Sequence, residues 1–233
     1  MTVRDLNMTE TKVPSHPAKY SSAIIEVLRE ILDIEQKGQP FGLLTVLDPM
    51  IGTGKLYDLA TPLICIDGVE LEQEWAEQHP HTIQGNATNL VMFPSGYFDC
   101  VVSSPPYANR LADKFNPKDT SRRMSYKFQL GRDLTEGSGA GMQWNGAYRS
   151  WSKLVLAEMI RVVRPGGIVV INISNHIRNK EEQPVSEFWL ATMVLMGLHF
   201  EKAIPVVTPR MRFGENHQAR VDTEWVFVTR RAA

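Results

Sequence analysis

Apolar residues near the start of the chain recur at helical spacing: Ile24, Leu28 and Ile31 share one face, with Ile25, Val27 and Leu32 beside it. Ser21 or Ser22 stands where an N-cap belongs, and Gly38 and Pro40 close the segment, so the pattern predicts a core-facing helix. The pattern then changes to short apolar runs: LLTVL at 43–47, LICI at 63–66, CVV at 100–102, IVVINI at 168–173, IPVV at 204–207 and WVFV at 225–228. These read as buried strands. The spacers at 72–78, 147–163 and 186–196, the last two with helical periodicity, alternate with them. Such alternation predicts an α/β fold with a mostly parallel sheet between helices. One stretch, 108–146, is far longer than a crossover needs and contains five glycines, which marks it as a functional insertion. Residues 1–15 are polar and aperiodic and are expected to be a tail or an edge strap, with 16–233 as a single domain.

The length, 233 residues, suits one large domain or one domain with an insertion. Twenty-five Lys and Arg against 26 Asp and Glu leave a net charge of −1, so any site for a polyanion must be a local patch. Cys65 and Cys100 both sit inside apolar runs and are expected to be small buried thiols, without a disulfide framework or metal-ligand spacing. No signal-peptide pattern opens the sequence, and the most apolar later window, 189–200, is shorter than the roughly 18 residues of a membrane span. The expectation is a cytoplasmic protein with no membrane partner and no bound metal.

The first strand runs into Asp48-Pro49-Met50-Ile51-Gly52-Thr53-Gly54-Lys55, a glycine turn at the sheet edge where cofactors bind. A phosphate loop would place Ser or Thr after the lysine; here Leu56 follows. The second strand ends in Gly68-Val69-Glu70-Leu71-Glu72, about twenty residues on, where a ribose-binding acid belongs. Glu70 is assigned that role and Glu72 is expected to be solvated. Then comes Ser103-Ser104-Pro105-Pro106-Tyr107. Two consecutive prolines cannot continue a strand, and they set the direction of the Pro105 carbonyl next to a hydroxyl and a flat ring.

The order DPMIGTGK, GVELE, SSPPY resembles the class I S-adenosylmethionine-dependent methyltransferases, and the SPPY tetrad resembles the branch that methylates exocyclic amino groups. A leading Ser is similar to the cytosine-N4 DNA enzymes, where adenine-N6 enzymes more often carry Asp or Asn. His16-Pro17-Ala18-Lys19-Tyr20-Ser21 resembles the N-terminal cofactor segment, and Arg164-Pro165-Gly166-Gly167 the lead-in to the fifth strand. The resemblance implies a Rossmann-like sheet of seven strands and S-adenosylmethionine as cofactor. It implies cofactor contacts from His16, Ala18, Tyr20, Asp48, Pro49, Met50, Gly52, Thr53, Gly54, Leu71, Ala87 and Ser103. Glu70 would hold the ribose, and Asn86, where the family usually has Asp, the adenine. It implies DNA modification, including the restriction–modification kind, in a prokaryotic or phage setting.

An exocyclic amine is a poor nucleophile because its lone pair is delocalised into the ring. Hydrogen bonds from its two hydrogens to Ser104 Oγ and the Pro105 carbonyl would localise that pair, with Pro106 fixing the turn and Tyr107 stacking on a flipped base. Between Asn109 and Asp133, seven Lys and Arg face three Asp, a net +4, with Phe115, Tyr126 and Phe128 interleaved. Asn109, Arg110, Arg122, Arg123 and Lys127 are the candidate contacts to double-stranded DNA. Arg210, Arg212 and Arg220 form a second basic group. His176 is a weaker candidate for a substrate role, and His79 and His81 are read as loop residues. Other readings stay open: adenine N6, an RNA guanine-N2 enzyme, a protein glutamine methyltransferase, or a silent cofactor-binding subunit. A specificity partner or a homodimer would suit so compact a chain.

Overall fold

The computed structural model describes residues 13–108, 125–178, 180–208 and 221–233. Helix α1 (Ser22–Lys37) begins where Ser21 caps it, its side chain accepting from the Ile24 N–H, and ends at Gly38. Then follow β1 (Leu44–Asp48), β2 (Ile64–Glu70), α2 (Gln73–Ala76), β3 (Thr82–Gln84) and β4 (Phe98–Ser103). After the insertion, whose described part carries α3 (Tyr126–Leu130), come α4 (Gly146–Val162) and β5 (Val163–Ile173). A small antiparallel hairpin, β6 (His176–Arg178) and β7 (Glu181–Gln183), precedes α5 (Val185–Leu195), β8 (Leu198–Val207) and β9 (Thr223–Arg231).

The main sheet has seven strands in the order β3-β2-β1-β4-β5-β9-β8. β1 pairs in parallel with β2 and β4, β2 with β3, and β4 with β5; β9 alone runs against its neighbours. Sequence periodicity anticipates six of these strands. It misses β3, three residues with no buried position, because a strand that short carries no hydrophobic signal.

Side chains alternate across the sheet and build two cores. On one face Val46, Cys100, Val102, Ile168 and Val170 pack under α1 through Ile24, Leu28 and Leu32. On the other, Leu47, Val101, Val169 and Ile171 meet Val155, Met159 and Trp189 of α4 and α5. The same alternation corrects one expectation: Ile64 and Ile66 turn inward on β2, so Cys65 between them is exposed, while Cys100 is buried. Ahead of the straight part of β5, Gly166 adopts φ +74°, and a Cβ on Gly167 would stand 2.5 Å from the Asp99 carbonyl. The register against β4 slips there, from Phe98↔Val163 to Cys100↔Ile168.

Because β1, β2, β4 and β5 are parallel, Asp48, Glu70, Ser103 and Ile173 all end on one edge of the sheet. Leu28 is fully buried in the α1 face. Leu28→Ala is expected to lower unfolding stability by about 2–5 kcal/mol, read from urea titration. A loss under about 0.5 kcal/mol would contradict this packing.

Candidate active site at the carboxyl edge of the sheet

A cavity of about 310 Å³ opens along that edge, at the low end of the roughly 300–1,000 Å³ of small-molecule sites. The β1 and β2 ends supply Pro49, Met50, Thr53, Glu70 and Leu71 to its wall, and β4 supplies Ser104, Pro105, Pro106 and Tyr107. His16, Ala18 and Tyr20 cross it from the N-terminal segment, and Asn86 and Ala87 reach it from the loop after β3. These expected residues therefore meet in one place. Asp48, Gly52, Gly54 and Ser103 stand behind the wall.

Asp48 has no exposed surface. Its Oδ1 accepts from Met50 N–H (3.0 Å) and Ser103 Oγ (2.8 Å), and its Oδ2 from Tyr20 Oη (3.1 Å). Burial pushes this carboxyl up to about 6, and the three hydrogen bonds hold it down against that. Gly52, at φ +59°, turns its N–H onto Glu70 Oε2 (2.9 Å), while Glu72 N–H donates to Oε1 (2.9 Å). Burial, with the nearby Glu72 charge adding to it, drives Glu70 up to about 7. Gly54, at φ +83°, packs on the other side of the turn, where a Cβ would strike the Tyr57 ring.

Glu72 is not solvated. It is 2 % exposed, accepts Thr135 N–H (3.0 Å) and Thr135 Oγ1 (2.8 Å), and pairs with Arg132 (2.8 Å). Arg132 also grips Glu74 through Nε (2.8 Å) and Nη2 (2.5 Å). The second half of the insertion is thereby stapled to the start of α2. It forms a wall of the cavity through Tyr126, Leu134 and Gly137 to Ala140. Of the cations counted toward the basic patch, Arg132 is spent on this, and Lys127 pairs within the insertion with Asp133 at 2.6 Å and lies outside the cavity wall. Asn109, Arg110, Arg122 and Arg123, and Arg210, Arg212 and Arg220, lie outside the described residues.

His16 packs edge-on against Trp75 (4.4 Å) and Tyr126 (5.4 Å). Burial lowers it to about 4, so it is neutral at pH 7; its Nδ1–H donates to the Ala18 carbonyl, which leaves Nε2 an acceptor. Asn86 Oδ1 is occupied by Thr88 N–H (3.0 Å) and Thr88 Oγ1 (2.9 Å), leaving its Nδ2 as the group on offer.

The tetrad is braced from behind. Tyr148 Oη donates to the Pro106 carbonyl (2.6 Å) and accepts from Trp189 Nε1 (3.0 Å). Ala108, at φ +53°, returns its N–H to the same carbonyl (2.9 Å) and closes a three-residue turn centred on Tyr107. Among the described residues no group donates to the Pro105 carbonyl or bonds the Ser104 hydroxyl, and Ser104 and Pro105 are both residues of the cavity wall. Sequence reading missed Trp75, Trp151, Asn172 and Glu224 on the wall and Tyr148 behind it. Asn172 at the end of IVVIN and Glu224 just before WVFV were findable as polar residues at strand ends. His176 lies on β6, paired with Gln183, away from the wall. His79 stacks on Tyr57 at 3.6 Å.

No protein-family model matches the chain, and neither does any curated protein sequence. Solved structures do. TrmN from Thermus thermophilus is 14% identical with a TM-score of 0.50 over 88% of this chain, which spans about half (48%) of TrmN. The N-methyltransferase NodS from Bradyrhizobium japonicum is 9% identical, TM-score 0.52, over 92% of this chain and 100% of NodS. A SAM-dependent methyltransferase from Archaeoglobus fulgidus is 12% identical, TM-score 0.50, over 89% and 94%. The strand order, the lone antiparallel β9 and these likenesses together give the chain the Rossmann-like class I methyltransferase fold.

Glu70 supplies a direct check on the site. Its carboxyl resonance, assigned by its absence in Glu70→Gln, is expected to titrate near 7, far above the ordinary 4.5. A folded value above the unfolded one contributes stability that is complete below about 4.5 and is lost as pH rises through about 7. A midpoint near 4 would contradict the burial of this carboxyl.

Proposed function

We propose that the protein is an S-adenosylmethionine-dependent methyltransferase acting on an exocyclic amino group of a base flipped out of double-stranded DNA, cytosine N4 foremost. The observation that carries this is that Ser104 and Pro105, whose hydroxyl and carbonyl have no hydrogen-bond partner among the described residues, line the same cavity as Glu70.

The residues fit the cofactor. Glu70 lines the cavity with its carboxyl anchored by the backbone N–H groups of Gly52 and Glu72, and there it would accept from the hydroxyls of a ribose. Asn86 Nδ2 would donate to an adenine ring nitrogen, His16, Ala18 and Met50 would pack beside it, and Asp48 and Ser103 would keep the turn in place. When bound, the cofactor supplies an electrophilic methyl group. The chain's own contribution is to prepare the amine. With its two hydrogens held by Ser104 Oγ and the Pro105 carbonyl, the nitrogen is drawn toward tetrahedral geometry and its lone pair gains a direction. No strong base is needed for that. In a duplex the amine is buried, so the base must leave the stack, and Tyr107 offers the ring that receives it. Stacking of this kind is worth about 1–3 kcal/mol per base. The basic residues Arg110, Arg122 and Arg123 are the proposed phosphate contacts, and the enzyme is proposed to work in the cytoplasm.

Ser104→Ala is expected to lower methyl transfer to DNA about tenfold or more, the worth of one hydrogen bond of about 1.5 kcal/mol. Tyr107→Ala should lower it further, about 10- to 100-fold. Cofactor affinity, measured by calorimetry, should change less than about twofold in both. Unchanged turnover in the two variants would sink the catalytic assignment.

A further inference from the structure

The strand ends cross the cavity in a fixed order: Glu70 on β2, then the tetrad after β4, then Asn172 on β5 and Glu224 on β9. Glu224 thus lies at the end of the cavity farthest from Glu70, and its Oε2 accepts a hydrogen bond from Tyr107 Oη at 3.1 Å. Its other oxygen accepts from Thr208 Oγ1 at 3.3 Å, just after β8. The carboxylate is fixed by its place in the β8–β9 ladder, where Glu224 pairs with Val206. Tyr107 is therefore held at both ends. Its backbone is locked by the Ala108-to-Pro106 turn and the Tyr148 hydrogen bond, and its phenol by a strand two places away across the sheet.

An aromatic ring on a loop turns freely about two side-chain bonds, and a platform that must wait for a base loses binding energy to that freedom. A hydrogen bond from the phenol to a carboxylate, of the charge-assisted kind, removes it before the base arrives. We propose that Glu224 is a positioning residue that preorients the Tyr107 ring as the stacking platform for the target base. The assignment rests on the amino-methyltransferase reading above. Glu224 touches neither the amine nor the reacting methyl group in this scheme; it acts through Tyr107.

The test is a double-mutant cycle on methyl transfer to DNA with Glu224→Ala, Glu224→Gln and Tyr107→Phe, each checked for an unchanged thermal transition and unchanged cofactor affinity by calorimetry. Glu224→Ala and Tyr107→Phe should each lower kcat/KM about tenfold, in the range of one charge-assisted hydrogen bond. The double variant should fall no further than either single one. Glu224→Gln, whose amide oxygen accepts in the same place, should keep activity within about threefold of wild type. Multiplying effects in the double variant, a Glu224→Gln loss as deep as that of alanine, or a Glu224→Ala variant as active as wild type would each overturn the assignment while leaving the functional reading standing. A wild-type protein that methylates no nucleic acid overturns the functional reading, and this one with it.

Discussion

A carboxylate with no exposed surface joins three distant parts of the chain at the sheet edge. Asp48 takes a hydrogen bond from Tyr20 in the N-terminal segment, from Met50 in the glycine turn and from Ser103 at the end of β4. Burying an ionised group costs several kcal/mol unless donors replace the lost water. Here the three donors do so, and the group remains ionised at neutral pH with its affinity for a proton raised only to about 6. Glu70 repeats the arrangement one strand over, with backbone N–H groups as donors. The two acids fix the turn, the Tyr20 segment and the start of the tetrad relative to one another at the edge of the cavity.

The fold was legible because burial on both faces of a parallel sheet writes continuous apolar runs, and because Ser21, Gly38 and Gly166 punctuate them where the backbone turns. The tetrad and the two strand-end acids were legible from residue type and order. What sequence could not show is division of labour at close range. The sequence pattern predicts Asp48, Gly52 and Ser103 as wall residues; all three are buried and do not line the cavity, a distinction that no spacing encodes. The sequence predicts a solvated Glu72 because helix-start acids usually are. Its burial follows from Arg132 and Thr135, sixty residues downstream, which fold back onto it.

That fold-back changes what the insertion means. Its charge, summed along the sequence, resembles a patch for a polyanion. In the described half, Arg132 is spent on Glu72 and Glu74, where its charge holds a wall in place, and Lys127 is paired with Asp133. Gly139 shows how close that wall lies: a Cβ there would stand 2.5 Å from the Trp151 ring on α4. The segment from Tyr126 to Ala140 thus belongs to the cavity. The tetrad lies immediately before the insertion in the sequence, and both line the same cavity.

The central claim is that this cavity prepares an exocyclic amine of a DNA base for methylation. The most direct measurement is nucleoside mass spectrometry of unmethylated DNA, with bulk RNA in parallel, after incubation with the protein and S-adenosylmethionine. The account predicts a methyl group on cytosine N4 in DNA. A methyl group found only in RNA, or on a carbon atom of the base, would contradict it.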